Sequence, residues 1–326
     1  MLKFSRRNVL QLAAGAVALP AGSQFASAQL YPARPVRVIV GFAAGGTTDI
    51  GARLVAQWLS ESLGQQFIVE NRPGASTRLA TEAVALAPGD GYTLLMATTT
   101  NVINALLYQQ PSYNFVRDIV PVVGVIRSPF VLEVHPALPV NTVPELIAYA
   151  KTNPDKISMA SFGTNTSSHL TGELFQMMTG AKMLHVPYQG SGPMLVDLTS
   201  GQVQLAFDNL PASIELIRAG KLRALAVTTK TRSSTLPDVP ALAEIVPGFE
   251  ASAWIGLAAP RGTPVEVIDR LNKEINAALA DPKIKARFAE LSGMVLGGTP
   301  AEFGNYIAEE AEKWGRVIRA ANIKPQ

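Results

Sequence analysis

Cysteine is absent from the 326 residues and histidine occurs three times, so disulfides and thiolate chemistry are excluded and stability must come from an ordinary core. No His-Glu-x-x-His pair and no Asp spacing of a calcium loop occurs, so no metal is expected. The Gly-x-Ser-x-Gly elbow of a serine hydrolase is missing, as are the Rossmann and P-loop glycine patterns. Long apolar runs are missing too, apart from one near the start that stops at Pro20, short of the roughly 20 residues a membrane span needs. That run follows Arg6-Arg7 and precedes Ala26-Ser27-Ala28, a small-x-small cleavage site. Residues 1–28 are therefore expected to be an export signal of twin-arginine type, with cleavage before Gln29, delivery to the periplasm and a soluble mature chain.

Net charge goes with the leader. Lys3, Arg6 and Arg7 lie in it and no acid does, so the 28 Lys and Arg less these three equal the 25 Asp and Glu of the remainder. A neutral mature chain gives a nucleic-acid partner no electrostatic support.

What is present is alternation. Strand-like runs at 36–40, 67–70 and 92–97 are separated by helical patterns at 50–63 and 79–87, the signature of an α/β fold with largely parallel strands. Apolar runs at 119–126 and 130–134 mark a crossover. A second series follows, with strands at 157–161, 183–186, 203–207 and 224–227 and helices at 167–179, 193–198 and 212–219. The chain crosses back near 249–257 and ends in helices at 264–279, 282–291 and 300–320, each opened by a capping residue before proline. Two domains result, 29–130 with 254–326 and 131–253. The C-terminal helices are expected to pack on the first domain, and two crossings, near 127–130 and 248–253, to form a hinge.

The loop Gly41-Phe42-Ala43-Ala44-Gly45-Gly46-Thr47-Thr48-Asp49 lies between a strand and a helix. Such a turn aims free backbone N–H groups and a helix N-terminus at one point, which suits an anion. With two threonines and no lysine, it fits a small carboxylate better than a nucleotide. Ser168 and His169 are adjacent on a helix and so point about 100° apart, which argues against a nucleophile and base. His135 reads as structural, and His185, which ends a strand, as structural with ligand contact as the alternative.

Several segments in order resemble one family. Tyr31-Pro32-Ala33-Arg34-Pro35, the loop from Phe42 to Asp49, Val69-Glu70-Asn71-Arg72-Pro73-Gly74-Ala75, Asp90-Gly91-Tyr92-Thr93-Leu94-Leu95, Ser167-Ser168-His169-Leu170, His185-Val186-Pro187-Tyr188-Gln189-Gly190, the run from Gly201 to Asn209, Leu236-Pro237-Asp238-Val239-Pro240 and Lys313-Trp314-Gly315 are similar to the Bug-type receptors. These are the extracytoplasmic solute-binding proteins of tripartite tricarboxylate transporters. The resemblance covers essentially the whole mature chain. It departs at Gly41, where the family often has proline, and at Thr47, where it often has a third glycine.

The resemblance implies a two-domain periplasmic-binding fold of type II, with no cofactor, that closes as a monomer on a small organic acid and delivers it to membrane permease subunits. The acid could be a mono- or dicarboxylate, an aromatic acid or an amino acid. Phe42, Ala43, Gly46, Thr47 and Thr48 would form one jaw, with Asp49 capping the helix. Thr99, Thr100 and Asn101 are candidate donors at a strand end, with a helix cap as the competing reading. Phe162, Gly163, Thr164, Thr166, Ser167 and Ser168 would form the second jaw, completed by Tyr188 and Asp208. Asp208 is either structural or a selector of a ligand that carries a donor. A sensing receptor would use the same pocket, and an exported hydrolase is the remaining alternative.

Overall fold

The computed structural model describes residues 31–108, 112–154 and 156–325; the leader lies outside the described residues. The chain runs β1 (Val36–Val40), α1 (Thr47–Leu63), β2 (Phe67–Asn71), α2 (Arg78–Ala85), β3 (Thr93–Thr98), α3 (Thr99–Leu107), α4 (Phe115–Asp118) and β4 (Ile119–Val134). It continues through α5 (Val143–Thr152), β5 (Ser158–Ser161), α6 (Ser167–Thr179), β6 (Leu184–Pro187), α7 (Ser191–Thr199), β7 (Leu205–Asn209), α8 (Leu210–Arg218) and β8 (Arg223–Val227). The last elements are β9 (Ser252–Pro260), α9 (Val265–Ala280), α10 (Pro282–Glu290), β10 (Met294–Gly297) and α11 (Pro300–Ala320).

Among the described residues ten strands join in one sheet, ordered β2-β1-β3-β9-β4-β7-β5-β6, with β8 and β10 also on β4. Parallel pairing joins β1 to β2 and β3, and β5 to β6 and β7, as the strand–helix alternation requires. The runs expected as two separate strands form a single strand, β4. Residues 119–129 of β4 pair antiparallel with β9, and residues 130–134 pair with β7 and β8. Register shifts beside Pro121 absorb its missing N–H, which lets a proline-containing run stay in the sheet.

The two crossings run side by side, with Arg127 opposite Trp254, Ser128 opposite Ala253 and Pro129 opposite Ser252. Arg127 Nε donates to Ser252 Oγ at 2.9 Å. Thr228 Oγ1 accepts from Phe130 N at 3.0 Å and lies 2.8 Å from Ala251 O, to which it donates. Residues from Arg34 onward hold together as one unit, so the halves are distinguished by sheet pairing rather than by a break in packing.

The helix α9 packs on α1 and β4 of the first half, as expected, but α11 reaches further. A 21-residue helix spans about 30 Å, and the far end of α11 carries Trp314, Val317 and Ile318 into the cluster that contains Phe130, Phe175 and Phe207. Trp314 is 1% exposed, and its indole N–H donates to Glu310. A third connection thus joins the halves beside the two strand crossings.

Candidate functional site

The loop after β1 is built around Asp49, which sits in the first turn of α1. Its carboxylate accepts from Gly45 N at 3.1 Å, Arg53 Nε at 3.0 Å and Asn71 Nδ2 at 3.0 Å. Burial works against its charge, but the bonds from Arg53, Gly45 and Asn71 outweigh it and hold the carboxyl below its ordinary value. Asp49 fixes the turn from within, as the sequence suggests, and leaves α1 with Gly46 as its N-cap and no side-chain cap bond. Gly45 supplies the positive φ of the turn at +88°, whereas Gly46 has φ −87°.

Three helix starts meet this loop. Gly46, Thr47 and Thr48 from α1, Ser191 from α7 and Asn209, the N-cap of α8, line a small cavity with Phe42 and Phe162. At about 10 Å³ it has room for roughly one water-sized group. Thr47 Oγ1 and Asn209 Oδ1 are buried there without a hydrogen-bond partner among the described residues. Phe42 and Phe162 meet edge to face at 5.3 Å, and both also line a larger cavity of about 330 Å³. That second cavity is bounded by the loop 74–78, Tyr108, Gly163, Thr164 and the segment from Pro187 to Gln189.

The halves touch above the site. Ala43 N donates to Gln189 O at 2.8 Å, and Ser76 Oγ donates to Thr164 O. Gly192 packs so closely on Ala44 that a Cβ there would stand 2.2 Å from its carbonyl oxygen.

Not every candidate side chain reaches this space. Thr99 Oγ1 accepts from Trp254 N at 3.0 Å and so stitches α3 to β9. Asn101 forms a reciprocal cap with Thr98 and donates to Thr77 and Thr81, which is the helix-cap reading of that segment. Thr100 Oγ1 accepts from Ser167 N at 3.3 Å across the halves. Thr166 caps α6, and its hydroxyl donates to Gly163 O at 2.6 Å. Ser168 donates to Phe207 O at 2.6 Å, which occupies its only proton. Tyr188 borders the larger cavity, but its hydroxyl donates to Asp197; burial and that bond raise its pKa to about 12. The second helix start at the small cavity is therefore that of α7, not that of α6. Gly190-Ser191-Gly192 and Asn209-Leu210-Pro211 carried the signal, a glycine turn and an Asn cap before proline after a strand.

Asp208 is fully buried and accepts from Ser191 Oγ at 2.5 Å, while its other oxygen has no partner among the described residues. Burial drives its carboxyl up from 3.8 to about 7. Glu133, also fully buried, is raised well above the ordinary range, first by burial and then by the Asp208 charge. The pair favours protonation over a fixed negative charge next to Ser191 and the small cavity.

His169 and His185 stack at 3.8 Å, His169 Nδ1 accepts from Asn165 N, and burial, followed by the electrostatic influence of the neighbouring ring, lowers His185 to about 4. No group of three or more His, Asp or Glu able to hold a metal occurs among the described residues.

A family model described as the tripartite tricarboxylate transporter family receptor matches residues 51–323. The chain belongs to this receptor family. Protein BugT of Bordetella pertussis is 40% identical over 301 residues, which cover 91% of this chain and 92% of BugT. Among solved structures, R. palustris Rpa4515 with adipate is similar at a TM-score of 0.88 and 40% identity, covering 91% of this chain and 100% of that one. MatC (Rpa3494) from Rhodopseudomonas palustris with bound malate is similar at 0.84 and 31% identity, covering 88% and 100%. The receptor is thus a periplasmic-type solute-binding protein with a mixed α/β fold, not an enzyme. Among the described residues no helix is long and apolar enough to cross a membrane.

Proposed function

We propose that this receptor captures a small organic acid from the periplasm for the permease subunits of a tripartite tricarboxylate transporter. The observation that carries the reading is the meeting of three helix starts at a cavity whose lining is uncharged. Backbone N–H groups and helix dipoles favour an anion there without a cationic clamp. One ligand carboxylate lies at the junction where Phe42 and Phe162 line both cavities. The polar atoms of Thr47, Thr48, Ser191 and Asn209 reach it directly or through a bridging water. Adipate and malate, named for the two similar receptors, share this carboxylate chemistry.

Residues 1–28 direct export through the paired arginine, and the receptor acts as a monomer without metal or cofactor. The domains are 29–130 with 254–326 and 131–253. Release requires the Ala43–Gln189 and Ser76–Thr164 contacts to part, with bending at the paired crossings around Arg127 and Ser252. The third connection, through α11, must flex with them. Calorimetry against mono-, di- and tricarboxylates, aromatic acids and amino acids tests the reading: binding by carboxylates and not by their amides is expected. Small-angle scattering should show a smaller radius of gyration with saturating ligand, and an unchanged radius would exclude hinge closure.

A further inference from the structure

The larger cavity contains one cation that the anchoring of a single carboxylate does not use. Among the described residues that line it, Arg78 is the only charged one. It opens α2 directly after a loop with positive φ at three consecutive non-glycine residues, Ala75, Ser76 and Thr77. That conformation persists because its surroundings over-determine it. Ser76 Oγ donates to Thr164 O on the other half, Asn104 Nδ2 donates to Ser76 O, and Thr77 packs against Gly41 where a Cβ would stand at 2.7 Å. Arg78 is therefore fixed at a defined place in the wall.

Its guanidinium lies over the Tyr108 ring, 3.9 Å from the ring centre. Nε donates to Ala75 O at 3.0 Å, and the two terminal nitrogens have no acceptor among the described residues. The neighbouring arginines differ: Arg37 and Arg72 pair with Glu70, and Arg53 pairs with Asp49. A guanidinium seated over an aromatic ring has N–H groups left to donate, and its fork of donors matches the two oxygens of a carboxylate. A cavity of about 330 Å³ is at the lower end of the range for small-molecule sites and suits a short flexible chain.

We propose that Arg78 is a second anion subsite, so that the solute of this receptor is an α,ω-dicarboxylate. One carboxylate sits at the Phe42–Phe162 junction and the other on the Arg78 guanidinium, with the methylene chain along the larger cavity. This deepens the carboxylate-binding reading and rests on it.

The test is calorimetry of the wild-type receptor and of Arg78→Gln with adipate and with hexanoate, a six-carbon chain that lacks the second carboxylate. A panel of shorter and longer mono- and diacids by thermal shift accompanies it. Adipate, or the diacid of best-fitting length, should bind the wild type about tenfold to a hundredfold more tightly than the matched monoacid, the range of one charge-assisted contact. Arg78→Gln should abolish that preference and leave monoacid affinity unchanged, which also shows that the variant is folded. Equal binding of mono- and diacids by the wild type, or equal weakening of both by Arg78→Gln, would overturn the subsite and leave the anchoring reading standing. Failure of every acid in the panel to bind would instead overturn the anchoring reading, and the subsite with it.

Discussion

The two cavities that share Phe42 and Phe162 offer a ligand different chemistry. The small one is made of helix starts, glycines and short hydroxyl side chains, and Gly46, Thr47, Thr48, Ser191 and Asn209 give it polarity without charge. The larger one takes its character from long side chains, Tyr108 at the end of α3 and Arg78 after a loop of unusual backbone conformation. Backbone donors grip a carboxylate of any parent acid, because they read only its charge and shape. On the proposed binding mode, side chains at the far end would meet the remainder of the ligand.

The sharpest break of that comparison is steric. Gly192→Val places a Cβ 2.2 Å from Ala44 O, so the β1–α1 turn and the start of α7 cannot close on each other. Binding of any carboxylate should weaken by more than about a hundredfold, while the melting temperature without ligand falls little if the open form accommodates the branch. Gly46 is the milder position. Its φ of −87° suits any residue, and a Cβ would meet Ser191 at 3.4 Å, so Gly46→Ala should lose less than Gly192→Val by calorimetry. The reverse order would mean that the turn itself, rather than closure, limits affinity.

A second pair of variants separates hydroxyls that touch the ligand from those that hold the fold. Thr47→Val removes a hydroxyl that is buried at the small cavity without a partner, and should weaken mono- and diacids alike by about tenfold at unchanged stability. Ser168→Ala removes the donor to Phe207 O instead. It should cost roughly 1 kcal/mol or more of unfolding free energy and leave affinity within about twofold of the parent. Denaturant titration and calorimetry on the same samples decide between these outcomes.

These residues also mark how far the sequence can be read. The bounds of α6 and α11 are legible because both have strong local punctuation, Thr166 and Gly180 for one and Thr299-Pro300 for the other. The glycine turn at 41–48 is legible for the same reason. α3, α5 and β10 lie in segments that the alternation pattern leaves unassigned, and α3 follows β3 without a break, so a strand end reads as a row of loop donors. The part played by Ser191 and Asn209 comes from the meeting of three separate strand–helix turns, which no single segment encodes. Arg78 is similar: its freedom depends on Tyr108, 30 positions away, and on Thr164 holding the loop from the other half.

The smallest expected effect is a dependence on pH that distinguishes the anchoring end of the ligand from the Arg78 end. Asp208 accepts from Ser191, which lines the small cavity, and burial raises its carboxyl from 3.8 to about 7. The folded state therefore holds a proton that the unfolded chain has already lost. The corresponding stability is fully present below about pH 3.8 and is lost as the pH rises through about 7. Glu133, raised in the same direction, adds to the slope rather than opposing it. A carboxylate ligand meets a neutral Asp208 below that range and a negative one above it, so affinity should fall on going from about pH 6 to about pH 8, by at most tenfold per unit. Hexanoate and adipate should show the same slope, because Asp208 bonds to Ser191 at the small cavity, where both acids place a carboxylate. Asp208→Asn should flatten both the affinity profile and the upper part of the stability profile. A slope that survives in Asp208→Asn, or that differs between the two acids, would place the titrating group at the far end of the larger cavity instead.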